Sequence, residues 1–146
     1  FVAEKGKGAY VRGKRMNVSA DRLLRNSLLA TGLPIEQDYA MPINLKGIQY
    51  LAPKVRNIRI AGSASLHLAY VAAGRLSGFW EIGLNSWDMA AGTLLIQESG
   101  GKVTDTAGNP YKLSVRNVMG SNHYIHDEFL NELTIAGATG YEKSNL

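Results

Sequence analysis

The chain has 146 residues, 16 basic against 12 acidic, and no cysteine. The missing thiols exclude disulfides and thiolate metal centres, and no apolar run reaches the roughly 20 residues of a membrane helix. The formal charge of +4 is scattered, so it favours anionic partners in general without marking a nucleic-acid arm.

In chain order, Phe1-Val2-Ala3, Gly6-Lys7-Gly8 and Ala9-Tyr10-Val11 read as strand, glycine turn and strand. Gly6-Lys7-Gly8 lacks the full P-loop pattern and is read as a hairpin turn. A hairpin alone is marginal, and the chain opens in what reads as the interior of a strand. The expectation is therefore a fragment, with residues 1–19 the hairpin remnant of a missing N-terminal half. Residues 20–136 form the α/β part, and 137–146 a loose polar tail. Leu28-Leu29-Ala30-Thr31 is a buried strand ended by Gly32-Leu33-Pro34. Residues 43–53 are a helix stopped before Pro53.

Asn57 to Ala61 is a strand. Ser63 then caps a helix with Leu66, Tyr70 and Ala73 at helical spacing, and Gly74 ends it. Gly78 to Ile82 is a strand, and Asp88 begins a helix running to Glu98, stopped by Gly100-Gly101. Lys102-Val103-Thr104 is a strand, Thr106 to Pro110 a turn, and Asn117 to Gly120 a last strand; His126 to Ile135 is a surface helix. Strands alternating with helices indicate a layered α/β fold. In such sheets ligands bind beyond the carboxyl ends of the strands, which singles out two junctions: Ala61-Gly62-Ser63-Ala64 and Glu81 to Asp88.

Each candidate also has an ordinary structural reading. Gly62, Ser63 and Ala64 offer free N–H groups to an anion or a hydroxyl-rich ligand, yet form an unremarkable capped helix start. Asp88 is stabilised at a helix start and is a hard oxygen ligand suited to Mg²⁺, yet an Asp cap needs no further purpose and one carboxylate is too few for a catalytic magnesium site. Glu81 could accept hydrogen bonds from sugar hydroxyls, or be solvated or lysine-paired. His123 and His126 read as surface histidines, and His67 as a packing or surface residue. Trp80 and Trp87 read as core or pocket wall.

Taken together the segments carry more. Arg59-Ile60-Ala61-Gly62-Ser63-Ala64, Val71-Ala72-Ala73-Gly74-Arg75, Phe79-Trp80-Glu81, Trp87-Asp88-Met89-Ala90-Ala91-Gly92 and Glu98-Ser99-Gly100-Gly101 form one ordered series. It resembles the inositol monophosphatase family, whose second signature is W-D-x-A-A-G followed by E-x-G-G, over nearly the whole chain, fading after about His126. The resemblance implies the C-terminal half of an α-β-α-β-α sandwich and Mg²⁺-dependent, often Li⁺-inhibited, hydrolysis of a small phosphomonoester. It further implies a homodimer, expected in the cytoplasm with no membrane association. Asp88 matches a metal ligand, Glu81 a contact to substrate hydroxyls, and Gly62, Ser63 and Ala64 the substrate-lining segment. The family's first signature, D-P-I/L-D-G-T, and its upstream Glu-Glu pair are absent, so this chain alone is expected to be inactive. Ser77 stands where relatives often carry Asp. The substrate is expected to be a phosphorylated polyol or sugar. Alternatives are a related nucleotide-phosphate phosphatase, a non-catalytic RNA- or protein-binding member, or a half that assembles with a separate N-terminal chain.

Overall fold

The computed structural model describes residues 1–35 and 38–140. The opening hairpin gains a third strand. β1 (Val2–Glu4), β2 (Gly8–Val11) and β3 (Lys14–Arg15) form an antiparallel sheet in that order. Glu98, at the end of a distant helix, holds it down: its two carboxylate oxygens accept the N–H groups of Gly6 and Gly8, each at 2.9 Å.

The remaining elements alternate. They are β4 (Leu28–Thr31), α1 (Ala40–Leu51), β5 (Asn57–Arg59), α2 (Ala64–Ala72), β6 (Gly78–Ile82), α3 (Ser86–Glu98), β7 (Lys102–Thr104), β8 (Asn117–Ser121) and α4 (His126–Ala136). The strands form one sheet in the order β5-β4-β6-β8-β7. β5, β4 and β6 run parallel; β8 is antiparallel to β6 and β7.

Side chains alternate across this sheet, as period two requires. Ala30, Phe79 and Val118 join the core under α2 and α3, whereas Leu29, Trp80 and Met119 join the core under α1 and α4. β6 is buried along its whole length, as expected of a strand covered on both faces. α3 also packs on β1 and β2. The layers therefore run α1 with α4, five-stranded sheet, α2 with α3, three-stranded sheet: an α-β-α-β succession.

Several boundaries and exposures differ from the sequence expectation. The helix expected at 43–53 is Ala40–Leu51, and Pro53 lies inside a following 3-10 turn, Ala52–Lys54, where its fixed φ is tolerated. His126 is buried, not on the surface. Its Nδ1 meets Ser121 Oγ at 2.8 Å and its Nε2 meets Thr104 Oγ1 at 3.0 Å. Burial pulls its pKa down to about 4, so the ring is neutral. The start of the expected loose tail is packed: Ala138 is buried and the Gly140 N–H donates to Thr106 Oγ1 at 2.7 Å. Residues 141–146 lie outside the described residues.

Candidate active site

The three parallel strands end at one edge, and each is followed within three residues by a glycine: Gly32 after β4, Gly62 after β5, Gly83 after β6. Residues 32–35, 62–65, 83–85 and Asp88, in the segments that follow, line an open cleft of about 410 Å³. Gly62, Ser63, Ala64, Glu81 and Asp88 all lie on its wall. The position agrees with the general rule for parallel sheets.

Ser63 caps α2, its side chain accepting the Leu66 N–H at 3.3 Å. Gly62 sits at φ +77°, a conformation that disfavours any side chain. Ala64 and Ser65, the first two residues of α2, line the cleft, and the opening N–H groups of a helix have no main-chain partner within it. Behind them lies His67, buried against Phe79 at 5.2 Å between ring centres. Its Nε2 accepts the Ala61 N–H at 3.1 Å. Burial lowers its pKa, which keeps the ring neutral and the nitrogen an acceptor.

Asp88 does not begin α3. The helix starts at Ser86, with Asn85 as its cap residue and Asp88 in the first turn. Asp88 Oδ2 accepts the Asn85 N–H at 2.9 Å, and the Asp88 carbonyl accepts a hydrogen bond from Ser65 Oγ at 3.2 Å, bridging the two cleft helices. Trp87 is not core: it is 76% exposed, next to Asp88.

Glu81 is buried rather than solvated, and among the described residues no lysine pairs with it. It shares a sheet face with Phe79, so its side chain enters the α2/α3 side, where it is 8% exposed. Its carboxylate lies directly over Gly32, where any Cβ would overlap both oxygens. Asn44, fully buried on α1, donates its amide to the Gly32 carbonyl and to Thr31 Oγ1, which fixes that floor. Burial, and secondarily the charge of Asp88, push the Glu81 carboxyl up to about 7.

A folded-state value of about 7 against 4.5 means that the folded chain binds this proton more tightly than the unfolded chain. The associated stability is present below pH 4.5 and is lost as pH rises through 7; above that, the ionised carboxylate costs about 3 kcal/mol. Glu81→Gln in the metal-free protein is therefore expected to stabilise by about 1–3 kcal/mol at pH 8 and by little at pH 5. Urea unfolding at both pH values measures this. An equal effect at both would show that the charge is not the liability.

Sequence reasoning missed Gly32, Asn44, Asn85, Ser65 and Arg116 as shapers of this cleft. The glycines after three successive strands were the available signal for Gly32. Asn44, Ser65 and Arg116 act through contacts between segments far apart in sequence, and Asn85 through its N–H bond to Asp88 three residues on.

The inositol monophosphatase family model matches residues 1–136. An inositol-1-monophosphatase of Caulobacter vibrioides is 44% identical over 138 residues, covering 93% of this chain and 54% of that protein. A Nus factor SuhB of Pseudomonas aeruginosa is 44% identical over 124 residues, covering 84% and 46%. The structure of an inositol monophosphatase from Anabaena superposes with a TM-score of 0.84 at 34% identity, covering 91% of this chain and 55% of that one. The chain thus spans about half the length of the curated relatives it matches.

Proposed function

This chain belongs to the inositol monophosphatase family, and we propose that the whole protein hydrolyses a small phosphomonoester of a polyol or sugar, inositol monophosphate being the first candidate, with Mg²⁺ as cofactor. The observation that carries this reading is one cleft holding two mutually repelling carboxylates, Glu81 and Asp88, opposite the N-terminus of α2.

The donors present fit a hard divalent cation. Asp88 has one oxygen held by the Asn85 N–H and the other, among the described residues, without a hydrogen bond, and carboxylate oxygen is the ligand that magnesium prefers. Burial first, and the nearby Asp88 charge second, raise the affinity of Glu81 for a proton, and a cation held by Asp88 would offset the second of these. Among the described residues no group of three acids or histidines could hold a metal, so Asp88 would be one ligand of a set that the described residues do not complete. When bound, Mg²⁺ supplies charge neutralisation on the phosphate and an ionised water for attack.

The chain's own residues would bind and orient. The N–H groups at Gly62–Ala64 donate to phosphate or hydroxyl oxygens. Ionised Glu81 accepts hydrogen bonds from substrate hydroxyls. Neutralising Asp88 removes one of the two causes that raise the Glu81 pKa, which favours that acceptor form. Holding the polyol in one orientation lowers the entropic cost of reaction.

Phosphate release by the full-length protein from inositol, sugar and nucleotide monophosphates, with Mg²⁺ and with chelator, tests the reading. No release from any of them with Mg²⁺ would sink it. Gly32→Ala in that enzyme is expected to displace the Glu81 carboxylate and raise KM about tenfold, with kcat changed far less, the signature of lost ground-state binding. An unchanged KM would remove Glu81 from substrate contact. Analytical ultracentrifugation and Li⁺ titration of the same assay test the homodimer and the inhibition expected for the family.

A second reading, RNA or protein binding without catalysis, is favoured by the +4 charge and by the likeness to proteins named Nus factor SuhB. RNA affinity that falls steeply with salt would support it; no binding at low salt would end it.

A further inference from the structure

Arg116, immediately before β8, lies outside the cleft wall but holds the turn that carries it. Its guanidinium donates to the Leu84 carbonyl at 3.0 Å, to Asn85 Oδ1 at 3.2 Å and to the Gly83 carbonyl at 3.5 Å. Its own carbonyl accepts the N–H groups of Gly83 and Leu84, both at 2.9 Å. One residue thus grips three consecutive residues of the β6–α3 turn from both its main chain and its side chain. The last of the three, Asn85, makes the N–H bond to Asp88 Oδ2.

We propose that Arg116 is a positioning residue for Asp88: by fixing Gly83–Asn85 it fixes the N–H that engages Oδ2, and so presents Oδ1 to a divalent cation. This rests on the reading of Asp88 as a metal ligand. The planar fork of arginine suits the role, because its donors keep a fixed angle to one another; a lysine offers a single flexible ammonium group. Groups that orient a ligand carboxylate in this way are worth about 10–100-fold in metal affinity.

Charge and position predict opposite signs, which makes the idea testable. Arg116 is a cation. If it acted only through its field, removing it would tighten binding of another cation, and replacing it by lysine would change nothing. As a positioning residue, its loss weakens binding either way.

The experiment is Mn²⁺ titration of the full-length protein, followed by the EPR signal of the free ion, for wild type, Arg116→Met, Arg116→Lys and Asp88→Asn. Both Arg116 variants are expected to bind Mn²⁺ about tenfold or more weakly, and Asp88→Asn more weakly still. Tighter binding by Arg116→Met with an unchanged Arg116→Lys overturns the proposal in favour of a field effect. Arg116 variants with a lowered Tm but wild-type Mn²⁺ affinity overturn it in favour of a purely structural role, provided that Asp88→Asn has weakened binding. Wild-type affinity in Asp88→Asn overturns the underlying reading of Asp88 instead. Should Arg116→Met not fold, Asn85→Ala removes the receiving oxygen of the same relay. It is expected to weaken Mn²⁺ binding, and unchanged affinity there overturns the proposal.

Discussion

Asp88→Asn in the full-length protein is expected, on the proposed function, to lower kcat by about three orders of magnitude, the scale of losing one group that stabilises transition-state charge. An amide is a neutral and poor ligand for a hard cation. The fold should survive the exchange. The asparagine oxygen can still accept the Asn85 N–H, and the Ser65 bond goes to the main chain of residue 88. What is lost structurally is the carboxylate charge in the first turn of α3, about 0.5–1 kcal/mol, or about 1–4 °C in Tm. Steady-state kinetics at saturating Mg²⁺ and calorimetry separate the two effects. Near-normal turnover would reduce Asp88 to a helix-end residue. An independent readout is the Glu81 titration, which should fall once the charge of Asp88 is gone.

The second large effect is expected at Gly92. α2 and α3 approach so closely there that a Cβ would overlap Leu68 Cβ and lie 2.7 Å from Leu68 Cδ1. Leu68 Cβ is fixed to its own backbone and cannot swing away, so the helix axes themselves must part. On an open helix surface, replacing glycine would gain about 1 kcal/mol of propensity. Here overpacking, about 1–3 kcal/mol and sometimes more, opposes that gain and wins. Gly92→Val, with its branched side chain, is expected to cost about 3 kcal/mol, lowering Tm by roughly 6–12 °C, and Gly92→Ala less. These helices also carry the two cleft walls at their N-termini, bridged by Ser65 and Asp88. Survivors of the substitution should therefore show raised KM as well. An unchanged Tm in Gly92→Val would show that Gly92 does not set the spacing.

The parts of this architecture that sequence revealed are those written locally. Ser63 announces its own helix, and the run Gly78 to Ile82 announces a buried strand. The ordered motifs then led to the family and to the α/β layering. Helix starts were less legible: Asn85 and Asp88 are both good start residues three apart, and the structure uses both, Asn85 as the cap and Asp88 as the first-turn acceptor of its N–H. Burial of single polar groups was least legible. His126 looks like a surface residue beside Asp127 and Glu128, and Ser121 on one ring nitrogen with Thr104, 22 residues earlier, on the other makes its site polar enough to bury a ring. Glu81 could have been called buried from its alternation with Phe79, since a strand covered on both faces leaves no solvent side. The grip of Arg116 on residues more than 30 positions away leaves no local trace.

The two tryptophans, finally, divide the molecule optically. Trp80 is sealed in the core, edge-on to Phe129 at 5.8 Å, while Trp87 stands in solvent, one residue along the chain from Asp88 of the cleft wall. A water-borne quencher reaches only the second, so its emission can be subtracted from the total. The residual blue-shifted light then reports the integrity of the interior, and the quenchable fraction reports whatever enters beside Asp88. Occupancy and unfolding can thus be followed as two colours of one intrinsic signal, with no label attached.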